Sequence, residues 1–337
     1  MFLNPWSLAL SLCSLIVLVL GAVAGRTAVR VLRFWEPGSD SNRQIRLENA
    51  IWLSSTLIAY GLGFQIITLI LFVLAADEFC QVIVGAMCAT GALLANPYGM
   101  PALLIKLVGV FFYGFWILLH QLDIRSEQYP LVRLKYLTLL LLLPLLLLDV
   151  SLQTLYIAGI KPDIITSCCA VVFGESNGGG SNLLSGYSQQ GLLLAFAGSI
   201  VSLAALGLGL GLSRRWRPWL AGLYAAGWLW FFGLSLVVIT TVISSYVYAM
   251  PYHKCPFCLL KPEYYYFGFA LYGTLIPATF FGVSAAFAGL VRGRPGLAGV
   301  VARYQRLAVR LSLILLGIFS GLSFYHYLKY LVSGGEG

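Results

Sequence analysis

Charge and histidine are both scarce in this sequence. Its 337 residues include 21 Lys or Arg, 12 Asp or Glu, and three His. His120 falls at one end of an apolar run, and His253 and His326 fall toward the other side, so a transmembrane stack of two bis-histidine haems is excluded. Only one axial pair, His253 with His326, stays open. No CxxCH is present, which excludes covalently attached haem c. Walker A, GxSxG and HExxH patterns are also missing. The stretches between apolar runs are too short for a nucleotide-binding domain.

What fills the sequence is hydrocarbon: 60% of the residues are hydrophobic and 10% charged. Runs of about twenty apolar residues, enough to cross a bilayer core of ~30 Å, recur along the chain. Lipid offers no partner to an unpaired backbone group, so segments of this length are helices. The expectation is an all-α polytopic membrane protein with spans at 5–25, 49–75, 101–120, 136–158, 190–212, 218–248, 264–290 and 309–331. The "AVAG" at 22–25 has the look of a signal-peptide cleavage site. With no Lys or Arg before the first apolar run, we read that run as a membrane helix instead.

Arginine sets the orientation. All fifteen Arg, together with Lys135, fall within 26–46, 125–135, 214–217 and 292–310, which are alternate connections. Lys106, Lys161, Lys254, Lys261 and Lys329 lie toward the other side. The positive-inside rule then places the arginine connections in the cytoplasm and both termini outside. The net charge of +9 reflects this topology and anionic lipid, and it excludes nucleic acid as the expected partner. Six of the seven cysteines (Cys80, Cys88, Cys168, Cys169, Cys255 and Cys258) fall on the non-cytoplasmic side. Cys13 lies inside the first span as a small packer. Thiols gathered on one face point to an oxidising compartment, so the expected location is a bacterial inner membrane with the cysteine loops in the periplasm.

The chain reads as built twice. "GRTAVRVLRFW" follows the first span and "LSRRWRPW" the fifth. The long second and sixth spans are each followed by a cysteine loop, "DEFCQVIVGAMCATGALLANPYG" and "YHKCPFCLLKPEYYYFG". Four spans per half make a parallel repeat: 1–158 and 190–337, joined by a cysteine- and glycine-containing outer linker at 159–189. "IITSCCAVVF" in that linker is apolar enough to pack on helix ends, and "CQVIVGAMCATGALLA" has the character of a short re-entrant helix.

Three readings of the cysteines stay open. They are structural disulfides, redox thiols, or ligands to a soft metal. In a helix Cys80 and Cys88 would stand ~12 Å apart, too far for a bond that needs Cα atoms about 4.4–6.8 Å apart. Adjacent Cys168 and Cys169 reach different partners more readily than each other. Cys255 and Cys258 form CPFC, the spacing of glutaredoxin- and thioredoxin-type proteins. At a helix start, with His253 and Lys254 beside it, Cys255 would be the activated, more accessible thiol and Cys258 the resolving one. The metal reading takes His253, Cys255 and Cys258 as ligands for Cu(I), Zn or Hg, with Cys168 and Cys169 as further thiolates.

The pair Cys255–Cys258 plus one loop pair, Cys80 and Cys88 or Cys168 and Cys169, loosely resembles the membrane disulfide enzymes of the vitamin K epoxide reductase and DsbB class. Those enzymes keep cysteine pairs at the outer ends of four-helix bundles and pass electrons to quinone. Eight helices and six outer cysteines depart from that pattern. Two four-helix bundles without haem also resemble, in architecture alone, quinone-interacting membrane anchors of the NrfD or polysulfide-reductase type.

Ionisable residues inside the apolar runs are candidate functional groups. Asp149 and Lys106 lie at similar depth and are expected to pair. Together with His326 they are the candidates for contact with a cofactor such as quinone. The specific expectation is a membrane redox protein working through outer cysteine pairs, with a periplasmic redox protein or other membrane subunits as partners. The alternatives are an anchoring subunit with structural disulfides, and a protein that binds or transports a soft metal.

Overall fold

A computed structural model describes residues 4–36, 41–86, 88–126, 129–161, 188–213, 216–250 and 253–332. Every regular element among them is helical. In chain order these are α1 (Pro5–Phe34), α2 (Asn42–Phe79), the short α3 (Ala89–Leu94), α4 (Gly99–Ile124), α5 (Val132–Ala158), α6 (Gln189–Leu212), α7 (Pro218–Tyr248), α8 (Phe267–Gly289) and α9 (Ala298–Val332). All except α3 are long and apolar enough to cross a membrane, so the expected eight spans are present. Polar side chains fix several starts. Asn4 accepts the Trp6 amide at 2.9 Å ahead of Pro5, Ser41 accepts that of Gln44 at 3.3 Å, and Ser188 that of Gly191 at 3.0 Å.

Several helices outrun the expected spans. α1 continues to Phe34, α2 begins at Asn42 and α9 begins at Ala298. Much of the arginine-rich connections 26–46 and 292–310 is therefore a continuation of the long helices. Arg43 of α2 lies 3.7 Å from the ring centre of Phe34, the last residue of α1. The expected re-entrant helix is much shorter than "CQVIVGAMCATGALLA", since only Ala89–Leu94 is helical and 81–85 are turns and bends. The apolar linker segment with Cys168 and Cys169 lies outside the described residues.

The chain divides into two compact units. In the first, α1 packs on α2, α2 on α4, α4 on α5 and α5 back on α1, closing a four-helix ring. Several polar groups buried in this ring pair across helices, which lowers the cost of holding them in hydrocarbon. Gln153 of α5 donates to Ser14 of α1 at 3.0 Å, and Ser54 of α2 shares a 2.8 Å hydrogen bond with Tyr136 of α5. Two buried ion pairs join α4 to α5. Lys106 meets Asp149 at 2.9 Å, and Asp123 meets Lys135 at 2.8 Å. The polarity is reversed between them, with Lys on α4 in one and Asp on α4 in the other. Lys106 and Asp123 are ~25 Å apart along α4, so the pairs pin the antiparallel hairpin near its two ends. The Lys106–Asp149 pairing agrees with expectation; Asp123 with Lys135 was not anticipated.

The second unit holds α6, α7, α8 and α9 from Val301, together with the segment Gly85–Gly91. Tyr224 of α7 and Ser312 of α9 share a 2.7 Å hydrogen bond, as do Ser284 of α8 and Tyr304 of α9. Phe196, Phe231 and Phe319 meet from three helices, with ring centres 5.4–6.1 Å apart. α8 approaches α7 so closely that a Cβ on Gly282 would strike the Trp228 indole. Toward its end α7 widens into a π-turn at Ile239–Ile243. There the hydroxyls of Thr240, Thr241 and Ser244 donate to the carbonyls of Leu236, Val237 and Thr240 at 2.7–2.8 Å. They supply hydrogen bonds where the shifted ladder disturbs the normal ones.

The Lys106–Asp149 pair generates a stability prediction. Asp149→Asn or Lys106→Met alone strands a buried charge and should cost about 3–5 kcal/mol, whereas the double change Lys106→Met with Asp149→Leu should recover most of it. Denaturation of the purified protein in detergent reads this directly. Additive losses in the double variant would show that the two charges do not act as a pair.

Candidate functional site

The second unit brings three thiols together. Cys88, Cys255 and Cys258 place their sulfurs within 4.8 Å of one another, and all three are buried. Cys88 and Cys255, 167 positions apart in sequence, stand 3.5 Å sulfur to sulfur. Thr90 adds its hydroxyl 3.3 Å from the Cys255 sulfur. No disulfide joins the described cysteines. The set is therefore a cluster of three thiols that could hold a metal ion.

The loop between α7 and α8 is shaped to present this cluster. Ala249 stands at φ 53°, Tyr265 at φ 53° and Tyr266 at φ 55°. Each is a left-handed conformation that costs a residue with a Cβ roughly 1–2 kcal/mol. These left-handed residues bracket Cys255 and Cys258 in sequence. Tyrosines hold the backbone between. The Tyr248 hydroxyl donates to the Cys255 carbonyl, and that of Tyr272 donates to the Pro256 carbonyl at 3.1 Å. Tyr248 is in turn flanked by His253, ring centres 4.6 Å apart, and by Tyr264 at 4.5 Å. At the start of α8, Gly268 lets the loop press down on the helix. A Cβ there would come within 2.8 Å of Leu260 Cδ2 and 2.9 Å of Leu259 Cβ.

This geometry differs from the sequence expectation in three ways. Cys258, not Cys255, opens the short helical turn Cys258–Leu260. Cys255 is 0% exposed and Cys258 7%, so the accessibility order is the reverse of that expected for an attacking Cys255. His253 packs against Tyr248, and the third member of the cluster is Cys88. Hydrogen bonds to Cys255 and Cys88, and then burial, push the Cys258 thiol well above its ordinary range. As thiols the three are small, nearly apolar core groups. As thiolates they would be untenable in such a place without a cation beside them.

The remaining candidates lie elsewhere. Cys80 caps the end of α2, within the first unit, and is outside the three-sulfur set. Lys106 and Asp149 belong to the first unit, where Gln65 donates to Asp149 at 2.8 Å and Tyr113 at 3.1 Å. His326 of α9 faces Phe267 of α8 at 4.9 Å and lines a cavity in the second unit. Cys168 and Cys169 are outside the described residues. Thr90, Tyr248, Tyr272 and Gly268 were missed by sequence reasoning, because nothing in their local pattern marks them. Asp123 and Lys135 carried a signal, as opposite charges flanking a short connection between two spans.

Compared with known protein families, with curated proteins and with solved structures, the chain matches none.

Loop packing at Gly268 should govern thiol reactivity. Gly268→Ala should raise the alkylation rate of Cys255 and Cys258 by about tenfold or more through local opening. Gly273→Ala, where a Cβ meets nothing within 4 Å, should leave it unchanged. Equal rates in both variants would mean that the loop is not held shut by this contact.

Proposed function

We propose that the chain is an integral membrane protein that binds a soft metal ion of the Cu(I), Zn(II) or Hg(II) class through Cys88, Cys255 and Cys258. The observation that carries this reading is the convergence of three buried sulfurs within 4.8 Å. Thiolate ligands select soft ions, and the 3.5 Å separation of Cys88 and Cys255 is close to that of two sulfurs each ~2.3 Å from one centre. Metal binding would displace the thiol protons and provide the positive charge that buried thiolates need. Thr90 would steady Cys255 from outside the ligand set.

One observation favours a second reading. Cys255 has Cys88 at 3.5 Å and Cys258 within the same cluster, so a disulfide could pass between the Cys88–Cys255 and Cys255–Cys258 pairings by exchange. Such a site would hand two electrons to a disulfide-bearing partner, and Cys80, Cys168 or Cys169 would be candidates to relay them. Quinone contact through Lys106, Asp149 or His326 belongs to this redox reading.

The same proposal includes the wider layout. We read two parallel four-helix repeats at 1–158 and 190–337, with both termini and the cysteine loops outside the cytoplasm. Its support is that each unit contributes four of the long helices and that the arginines gather at alternate connections. A bacterial inner membrane, with the cluster facing the periplasm, fits this layout.

Titration of the reduced protein in detergent with Cu(I) and with Zn(II), against a chromophoric chelator, tests the metal site. One equivalent of at least one ion should bind. Outer-shell changes alone cost about 10–100-fold in affinity, so Ser at Cys88, Cys255 or Cys258 should cost more than ~100-fold. Cys13→Ser and Cys80→Ser should cost nothing. Binding that survives all three cluster substitutions would overturn the metal site. No binding, together with a reversible Cys88–Cys255 disulfide in the mildly oxidised protein, would establish the exchange reading in its place.

A further inference from the structure

A second site lies in the same unit and uses different chemistry. Where α6 begins, α7 ends, α8 begins and α9 ends, the structure forms a half-open cavity of about 840 Å³. That size accepts a small organic ligand, such sites running roughly 300–1,000 Å³. Its walls are rich in tyrosine, with Tyr246, Tyr264, Tyr325 and Tyr330 contributing. The rings brace each other. Tyr246 sits 5.5 Å from Tyr330, centre to centre, and 5.2 Å from Tyr327.

Two opposite charges share this wall, Glu263 from the loop and Lys329 from α9. Neither takes part in an ion pair among the described residues. The Ser245 hydroxyl, also on the wall, is buried without a hydrogen-bond partner. A cluster of electron-rich rings attracts an organic ammonium, and a neighbouring carboxylate adds to that attraction. A lysine at the end of a membrane-spanning helix attracts phosphate. A simple anion would be repelled by Glu263, a simple cation by Lys329, and an uncharged ring would use neither.

We propose that this cavity binds an ammonium–phosphate zwitterion, with the ammonium among the tyrosines beside Glu263 and the phosphate at Lys329. The place where four membrane helices end is the depth at which phospholipid headgroups lie, so a choline- or ethanolamine-type lipid headgroup presents this chemistry in the right position. A soluble phosphate ester of an amino alcohol presents it equally. The Tyr264 ring serves both neighbourhoods, since it lines the cavity and packs on Tyr248, which holds the Cys255 carbonyl.

The test is calorimetric titration of the full chain in an uncharged maltoside detergent with three probes. These are dihexanoylphosphatidylcholine, dihexanoylphosphatidylglycerol and free phosphocholine. The choline lipid should bind about tenfold or more tighter than the glycerol lipid, which has the phosphate without the ammonium. Glu263→Gln and Tyr246→Leu should each erase most of that preference, and Lys329→Met should weaken both lipids. Glu263 and Lys329 are exposed, so these two substitutions leave the packed helices untouched. Free phosphocholine matching the choline lipid would support the site and assign it to a soluble zwitterion. Weaker binding of the free form would assign it to lipid. Equal binding of the two lipids, or a preference unchanged by Glu263→Gln, would overturn the proposal. Neither result depends on whether the cysteine cluster holds metal.

Discussion

The contact between Cys88 and Cys255 is the constraint from which the functional account follows. It joins residues 167 positions apart at 3.5 Å, and it carries the segment Gly85–Gly91 into the unit built from the later helices. The strained turns at Ala249, Tyr265 and Tyr266 make sense in its light. A loop free to relax would not hold three left-handed residues that carry side chains, so the surrounding packing must over-determine them. The tyrosine hydroxyls on the Cys255 and Pro256 carbonyls and the close seat on Gly268 provide that packing.

The membrane explains the rest of the design. In hydrocarbon an unpaired polar group is costly, and each unit pairs many of its buried polar groups in its own way. The first uses two ion pairs of opposite polarity, Lys106–Asp149 and Asp123–Lys135, to pin one helical hairpin. The second uses hydroxyls: Tyr224 with Ser312, Tyr304 with Ser284, and the Thr240–Thr241–Ser244 set along the π-turn of α7. The π-turn lies close in sequence to the CPFC loop, and its Val242 lines the tyrosine cavity. A local change of helical pitch thus re-aims side chains where the second unit departs from a plain bundle.

Much of this was legible in sequence. Eight apolar runs gave eight helices, because length and hydropathy alone decide what can cross a bilayer. Lys106 and Asp149 could be paired by their depth within adjacent spans. The grouping of cysteines was harder. CPFC announces itself through spacing, but Cys88 joins it only through tertiary structure, and no local pattern separates Cys88 from Cys80. The expected role of His253 followed from nearness in sequence. The chain turns there, and the ring goes to Tyr248. Helix ends were misjudged where arginines follow apolar residues. Arg26, Arg30 and Arg33 read as a loop, yet they continue α1, since a helix keeps its own hydrogen bonds after it leaves the lipid.

The central claim is that three sulfurs share one ion. X-ray absorption at the metal edge of the protein, loaded with one equivalent of Cu(I) or Zn(II), measures this most directly. The account predicts a first shell dominated by three sulfurs at about 2.3 Å, falling to two in Cys88→Ser. A shell dominated by nitrogen or oxygen, or one unchanged in Cys88→Ser, would contradict it.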